Sequence, residues 1–335
     1  VLFAVIGEEC MKKAILACLI YTALHSDIYI FKPCQVSLIG GYRQDELNLS
    51  YRQEQIQDPN AIRESIDTMH VYQVGGQLEV MKAFRGFFRS KCLYGYGHSS
   101  HAYSQMRVTP LTSQGTIAAL FMQLFPYTAE AHIIDTDAMV GYPIRGGPLT
   151  FIPFLGYSYD RHNIKRENIG PANFTQGNTT ATFFPTNNFK TQVYAPLVGI
   201  EIRLTPSGGS RVTFIGEYEF HWGIFTSTSS YKLEFTNDDV LSLSEFIKQN
   251  VQVKKRALSH LFFLKALIGL NTYSTLGLKL KYQYTRAHGG ESNQRLLGYQ
   301  TINGSFSNID QSIQRRFNGF VWQYLGGEIE LSVQF

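Results

Sequence analysis

The sequence predicts an all-β protein: a closed antiparallel transmembrane β-barrel of about ten strands, with short turns at one end and long loops at the other. Three observations predict it. Stretches of the chain alternate strictly between apolar and polar side chains, the period of strands that face two different environments. The connections between those stretches alternate between tight turns and long polar segments. The composition suits a surface that is not all water: 17% of the 335 residues are charged and 14% are aromatic, whereas soluble domains carry about a quarter charged residues.

The first 33 residues stand apart. "MKKAILACLIYTAL" from Met11 has two lysines, an apolar run and then small or polar residues up to Ser26, the layout of a secretory signal peptide. Residues 1–33 are therefore read as an over-extended start plus a leader, with cleavage between Ala23 and Pro33, and 34–335 as the barrel. After Ser26 no apolar run approaches ~18 residues, so no transmembrane helix is expected. Of four cysteines, Cys34 and Cys92 remain after such processing, as one disulfide or as two thiols. No CxxC or HExxH spacing occurs.

Ten strands are predicted near 36–52, 69–82, 84–97, 131–144, 149–163, 189–205, 211–227, 257–271, 276–288 and 317–335. In the second, Tyr72, Val74, Leu78 and Val80 alternate with Gln73, Gln77 and Glu79. In the sixth, Tyr194, Val198, Ile200, Ile202 and Leu204 share one parity. The seventh contains "GEYEFHWG", where Tyr218, Phe220 and Trp222 oppose Glu217, Glu219 and His221. The ninth sets Leu276, Leu278, Leu280, Tyr282 and Tyr284 against Gly277, Lys279, Lys281, Gln283 and Thr285. The tenth sets Ile329, Leu331, Val333 and Phe335 against Glu328, Glu330, Ser332 and Gln334.

Short turns fall at Lys82–Phe84, 145–148, 205–210 and 271–275. Long polar loops fall at 53–68, 98–130, 166–188, 230–250 and 289–313. Within the second loop, "TIAALFMQLF" (116–125) reads as a loop helix or as an extra hairpin that would bring the count to twelve.

A spanning sheet must close, because hydrocarbon offers no partner to a free backbone group. One parity then meets lipid and the other the lumen. The expected aromatic girdle comprises Tyr94, Tyr96, Tyr157, Tyr159, Trp222, Tyr282, Tyr284 and Trp322. The soluble alternative, a secreted β-sandwich, shares the alternation. It gives no reason for loops that alternate in length.

The inward set is then Glu79, Arg85, Arg89, Lys91, Asp135, Asp137, Glu217, Glu219, His221, Lys265, Lys279, Lys281, Glu328 and Glu330. Hairpin register places Lys281 near Glu330 and Lys91 near Asp137. Ten strands make a narrow barrel that these side chains fill, which excludes a wide diffusion pore. The net charge of +4 has no basic run, so no nucleic-acid partner is expected. His98 and His101 are a solvated loop pair on this reading, and no metal or cofactor is expected.

"GGYRQDELNLSYR" (40–52), "DTDAMVGYP" (135–143), "LTFIPFLGYSYDRHNI" (149–164) and "GEYEFHWG" together resemble an outer-membrane protein family of chlamydia-like bacteria, over most of the mature chain. The resemblance implies a Gram-negative outer membrane and no established activity. The terminal Phe335 resembles the signal read by the barrel-assembly machinery. The family is similar in layout to the omptins, ten-stranded proteases with catalysis at the outer rim. Omptins carry an Asp-x-Asp and a later Asp-x-His pair that activate a water, and Asp135-x-Asp137 and Glu219-x-His221 have a similar form in the same order. Two departures weigh against it: Glu replaces Asp beside the histidine, and Asp135 and Asp137 fall on the strand after the loop. Arg89 and Lys91 are expected to neutralise the Asp pair. The leading expectation is a non-enzymatic barrel embedded in outer-membrane lipid, with loops that meet a host or envelope surface ligand. An omptin-like endopeptidase using Asp135, Asp137, Glu219 and His221 is one alternative, and a narrow solute channel is another.

Overall fold

The computed structural model describes residues 34–52, 62–81, 86–108, 121–167, 172–176, 179–205, 211–237, 243–302 and 305–335. The expected leader, Arg85 and residues 116–120 lie outside them. In chain order the strands are β1 (Cys34–Arg52), β2 (Ile62–Met81), β3 (Phe87–Val108), β4 (Phe121–Gly141), β5 (Ile144–Gly146), β6 (Leu149–Glu167), β7 (Ala172–Gln176), β8 (Thr179–Leu204), β9 (Val212–Asn237), β10 (Leu243–Gly269), β11 (Ser274–Ile302) and β12 (Ser305–Gln334).

Ten of these form one antiparallel ring. Sequence neighbours pair throughout, β6 pairs with β8, and β1 pairs with β12 from Gln35↔Gln334 up to Arg52↔Arg316. The Phe335 amide extends the seam by donating to the Cys34 carbonyl. With that closure the ring has no free edge in its lower part, as a bilayer demands. The two remaining strands are short: β5 pairs only with β6, and β7 only with β8. Neither short strand falls in 116–125, the segment read as a loop helix or an extra hairpin; its described part, Phe121–Phe125, continues β4.

The strands run well past their expected upper ends. Much of each segment read as a long polar loop is strand: 98–108 belongs to β3, 243–250 to β10, and 289–302 with 305–313 to the β11–β12 hairpin. Above the membrane both faces are wet or covered differently, so the apolar alternation that marks a strand disappears while the backbone ladder continues. The wall is uneven. Strands β8 to β12 have 26 to 30 residues, whereas β1 has 19.

The predicted parity holds through the lower barrel. Leu278, Leu280, Ile329 and Leu331 are exposed on the outer wall, while Lys279, Lys281, Glu328 and Glu330 are buried inside. About ten residues per strand carry this apolar belt, enough when tilted for the roughly 25 Å of an outer membrane. The belt ends at outward aromatics such as Tyr42, Tyr72, Tyr96 and Tyr284, beyond which outward positions turn polar: Gln44, His70, His98 and Arg286. Three outward tyrosines hydrogen-bond a histidine on the neighbouring strand: Tyr42 to His70 (2.6 Å), Tyr94 to His132 (2.6 Å) and Tyr218 to His260 (2.9 Å).

One expected girdle member is elsewhere. Trp322 is 1% exposed and lies inside the barrel. It shares its parity with Glu328 and Glu330, so the strand that points those glutamates inward points Trp322 inward too. Cys34 is buried and Cys92 exposed, and no disulfide joins them.

Candidate functional site

The lumen is built in two tiers. The lower tier, on the side of the short turns, is ionic. Arg89 on β3 reaches across to Glu201 on β8 (2.7 Å) and to Glu217 on β9. Arg203 on β8 crosses to Glu79 on β2 (2.8 Å) and also pairs with Glu201. Lys265 on β10 holds Glu330 on β12 (2.6 Å), and Lys279 and Lys281 both hold Glu328 (3.3 and 3.5 Å). Lys281 thus pairs with Glu328 and not with Glu330, because Glu330 faces Gly277 across the hairpin and Lys265 fills the space beside it. The Arg89 and Arg203–Glu79 links join strands distant in sequence, so they tie opposite walls together. A charge left alone in such a place would cost several kcal/mol.

The upper tier is mostly apolar, though Arg166, which lies over the Tyr127 ring, and Ser227 are buried there too. Leu47, Leu49, Ile133, Phe189, Phe225, Phe317, Phe320 and Trp322 belong to one buried cluster. Phe225 on β9 stacks on Phe320 of β12, with ring centroids 4.3 Å apart. His162 on β6 meets the Trp322 ring edge-on at 4.1 Å. These contacts also cross the lumen. Along β9 the order upward is Glu217, Glu219, His221, Phe225; along β12 it is Glu330, Glu328, Tyr324, Trp322, Phe320. The apolar tier therefore stands between the ionic tier and the outer end.

The four sequence-predicted site residues all face the lumen and are buried. Glu219 and His221 do form a pair, His221 Nε2 lying 2.8 Å from the Glu219 carboxylate. The other ring nitrogen, Nδ1, lies 2.8 Å from Ser158 Oγ on β6. Ser158 sits opposite Asp137 in the β4–β6 register. A lateral line Asp137, Ser158, His221, Glu219 thus runs across β4, β6 and β9. Asp135 is turned away from it and bonds Arg43 on β1 at 2.5 Å. Arg43 also pairs with Asp45 (2.9 Å) and lies over the Tyr324 ring, 4.3 Å from its centroid.

The neutralising cations were half foreseen. Lys91 does pair with Asp137. Arg89 serves Glu201 and Glu217 instead of the Asp pair, and the partner of Asp135 is Arg43. Sequence reasoning missed Arg43, Ser158 and Asp160. The signal was available as parity: Ser158 and Asp160 are the alternates of the outward Tyr157 and Tyr159. Gly326 makes room for Arg43, since a Cβ there would sit 2.5 Å from the Arg43 Cβ and 2.8 Å from the Tyr42 carbonyl oxygen. His98 is exposed on the outer face of β3. Among the described residues no group of three or more His, Cys, Asp or Glu side chains is placed to hold a metal ion.

A sequence-family model described as Protochlamydia outer membrane protein matches residues 37–335. The chain belongs to that family. The location follows: this family's barrel resides in the bacterial outer membrane. No curated protein matches the sequence. Among solved structures, the outer membrane protease OmpT from Escherichia coli aligns with a TM-score of 0.57 at 10% identity, covering 92% of this chain and 100% of that one. The translocator domain of the autotransporter NalP from Neisseria meningitidis aligns at 0.34 and 11% identity, covering 99% and 98%. The Pseudomonas putida toluene transporter TodX aligns at 0.32 and 8% identity, covering 91% of each chain. At such identities the likeness to OmpT is one of fold. In this family member the four candidate residues lie beneath the apolar tier and away from the outer end.

Proposed function

We propose that this protein is a sealed, non-enzymatic outer-membrane barrel that holds a tall β-sheet at the cell surface, where it contacts a host or envelope surface ligand. The observation that carries the reading is the apolar tier. It caps Asp137, Ser158, His221 and Glu219 from the outside, and Asp135, Asp137 and Glu217 each pair with a cation. A water-activating pair needs both a free carboxylate and a path for substrate; an open channel for polar solutes needs a wetted path, which a packed apolar constriction interrupts by dewetting.

The test is twofold. Purified protein in planar bilayers is expected to stay silent, and a panel of peptides is expected to remain uncut. Steady conductance, or cleavage abolished by His221→Ala and Asp137→Asn, would overturn the reading. For the surface role, cells displaying the wild type are expected to adhere to host-cell layers. A variant with residues 292–315 replaced by a tight turn is expected to lose that adhesion while keeping its heat-modifiable gel mobility; equal adhesion by both would refute it.

The omptin-like endopeptidase remains a second reading because of one geometry: both nitrogens of His221 are engaged at 2.8 Å, by a hydroxyl and by a carboxylate. Such an arrangement can orient and activate an imidazole.

A further inference from the structure

The outer wall of β8 to β11 carries a run of cations just above the apolar belt. The alternation that turns Phe262 and Tyr282 outward also turns out Lys254 and Arg256 on β10 and Arg286 on β11, and all three side chains are exposed. Arg256 is level with the outward Ile224 of β9, and Lys254 with Thr226. Arg286 is level with Leu258, diagonal to Arg256. Successive cations therefore stand about 7 Å apart. Lys190 on β8, level with Thr228, faces the same way. Among the described residues no carboxylate faces outward from these four strands. The opposite half of the wall differs. There β1 to β4 turn out one row of Gln44, His70, His98 and Glu130, with no described lysine or arginine. The cations form a patch on one side and not a collar.

Below the patch the same wall is indented. A cavity of about 1100 Å³ opens outward among Leu204, Phe214, Leu264, Leu280 and Ile329, all exposed. Its volume is at the upper end of the range for ligand pockets, about 300–1,000 Å³. From Leu280 to Arg286 is six residues, about 20 Å along the strand and about 15 Å of depth at a tilt of about 40°. That is close to one leaflet of a hydrocarbon core about 30 Å thick. An apolar hollow thus lies one chain length beneath a cluster of cations at the membrane surface.

We propose that this wall binds a lipid of the outer leaflet by its phosphorylated, net-negative head group, with an acyl chain lying in the hollow. Charge complementarity selects the head. Lys254, Arg256 and Arg286 match phosphate oxygens, whereas the ammonium of a zwitterionic head finds no described carboxylate on these strands. The inference goes beyond the surface-contact reading and rests only on the outer-membrane location.

Trp222 is a built-in reporter. It is outward, 42% exposed, and in one row with Leu258 and Arg286. The other tryptophan, Trp322, lies inside the barrel. The full chain is reconstituted in phosphatidylcholine vesicles containing a graded fraction of brominated phosphatidic acid or, in parallel, brominated phosphatidylcholine. Phosphatidic acid is expected to reach half-maximal quenching at a mole fraction about tenfold lower. K254Q/R256Q/R286Q is expected to remove that difference. Gly216→Leu, which fills the hollow without changing charge, is expected to reduce it. A Cβ at Gly216 meets only Leu264 Cδ2, at 3.6 Å, and both variants are expected to keep their heat-modifiable mobility. Equal quenching by the two lipids would overturn the inference, as would an excess that survives the triple variant or Trp222→Phe. Removal of the excess by millimolar inorganic phosphate would assign the patch to the free ion. A micelle dimer broken by Gly216→Leu would assign the hollow to a second copy. Either result would also overturn it.

Discussion

Arg43 on β1 bridges the lumen to Asp135 on β4, its Nη1 2.5 Å from Oδ2, while the same guanidinium holds Asp45 at 2.9 Å. One cation therefore serves two buried carboxylates at the boundary of the two tiers. Replacing it with an apolar side chain of similar length leaves both carboxylates uncompensated. Arg43→Met is expected to destabilise the barrel by about 3–5 kcal/mol, the usual penalty for stranding buried charge. The triple variant Arg43→Met, Asp45→Asn, Asp135→Asn is expected to recover much of the loss. Urea unfolding in micelles, followed by the heat-modifiable band and by tryptophan fluorescence, measures both. Equal stability of the single variant and the wild type would contradict a functional pairing of charge across the lumen.

The apolar tier makes a second prediction. Phe225 and Phe320 are both fully buried, and their rings stack inside the barrel. Phe320→Ala is expected to cost about 3–5 kcal/mol through the cavity it leaves. The double variant F225A/F320A opens that tier to water. Planar-bilayer recordings are expected to show discrete conductance in the double variant and none in the wild type. A double variant as silent as the wild type would mean that another layer seals the barrel.

How much of this was legible in the sequence depends on height. Inside the membrane belt the rule that apolar means outward gave the correct face for Leu278, Lys279, Ile329 and Glu330. Above the belt the rule inverts, because the outside is water and the inside is a packed apolar tier. Leu47 and Leu49 point inward there, while Glu46 and Gln323 point outward and bond each other at 2.5 Å. Trp322 was misplaced for that reason: an aromatic near the belt's upper end reads as girdle unless its parity is carried up from Glu328. The partner of Asp135 was illegible for another reason. Arg43 and Asp135 are far apart in sequence and meet across a lumen whose strand register no local pattern reports.

Position along the belt should also decide what a charge costs. Leu280 is 57% exposed on the outer wall within the apolar belt, and Tyr284 lies one turn of the alternation above Tyr282 at its upper end. Leu280→Arg is expected to destabilise by about 2–4 kcal/mol and Tyr284→Arg by only about 0–1, as depth dictates. Refolding titrations into phospholipid vesicles compare the two. Equal losses would mean that the belt is misplaced or that this face does not meet lipid.

Adjacent glycines on β12 supply the sharpest contrast. At Gly326 a methyl group would press on the Arg43 Cβ at 2.5 Å and on the Tyr42 carbonyl oxygen at 2.8 Å, both parts of the β1 wall that cannot swing aside. At Gly327, whose side points outward, the nearest atom is the Lys279 carbonyl oxygen at 3.8 Å, an ordinary contact. Gly326→Ala is expected to cost about 1–3 kcal/mol, the range for overpacking, and to weaken the Arg43–Asp135 link along with it. Gly327→Ala is expected to be neutral within about 0.5 kcal/mol, like other changes away from packed contacts. A double-mutant cycle of Gly326→Ala with Arg43→Met tests the link. If the glycine acts by displacing Arg43, the two losses overlap and their sum exceeds the double variant's loss. Strict additivity would show that Gly326 is needed for strand approach alone.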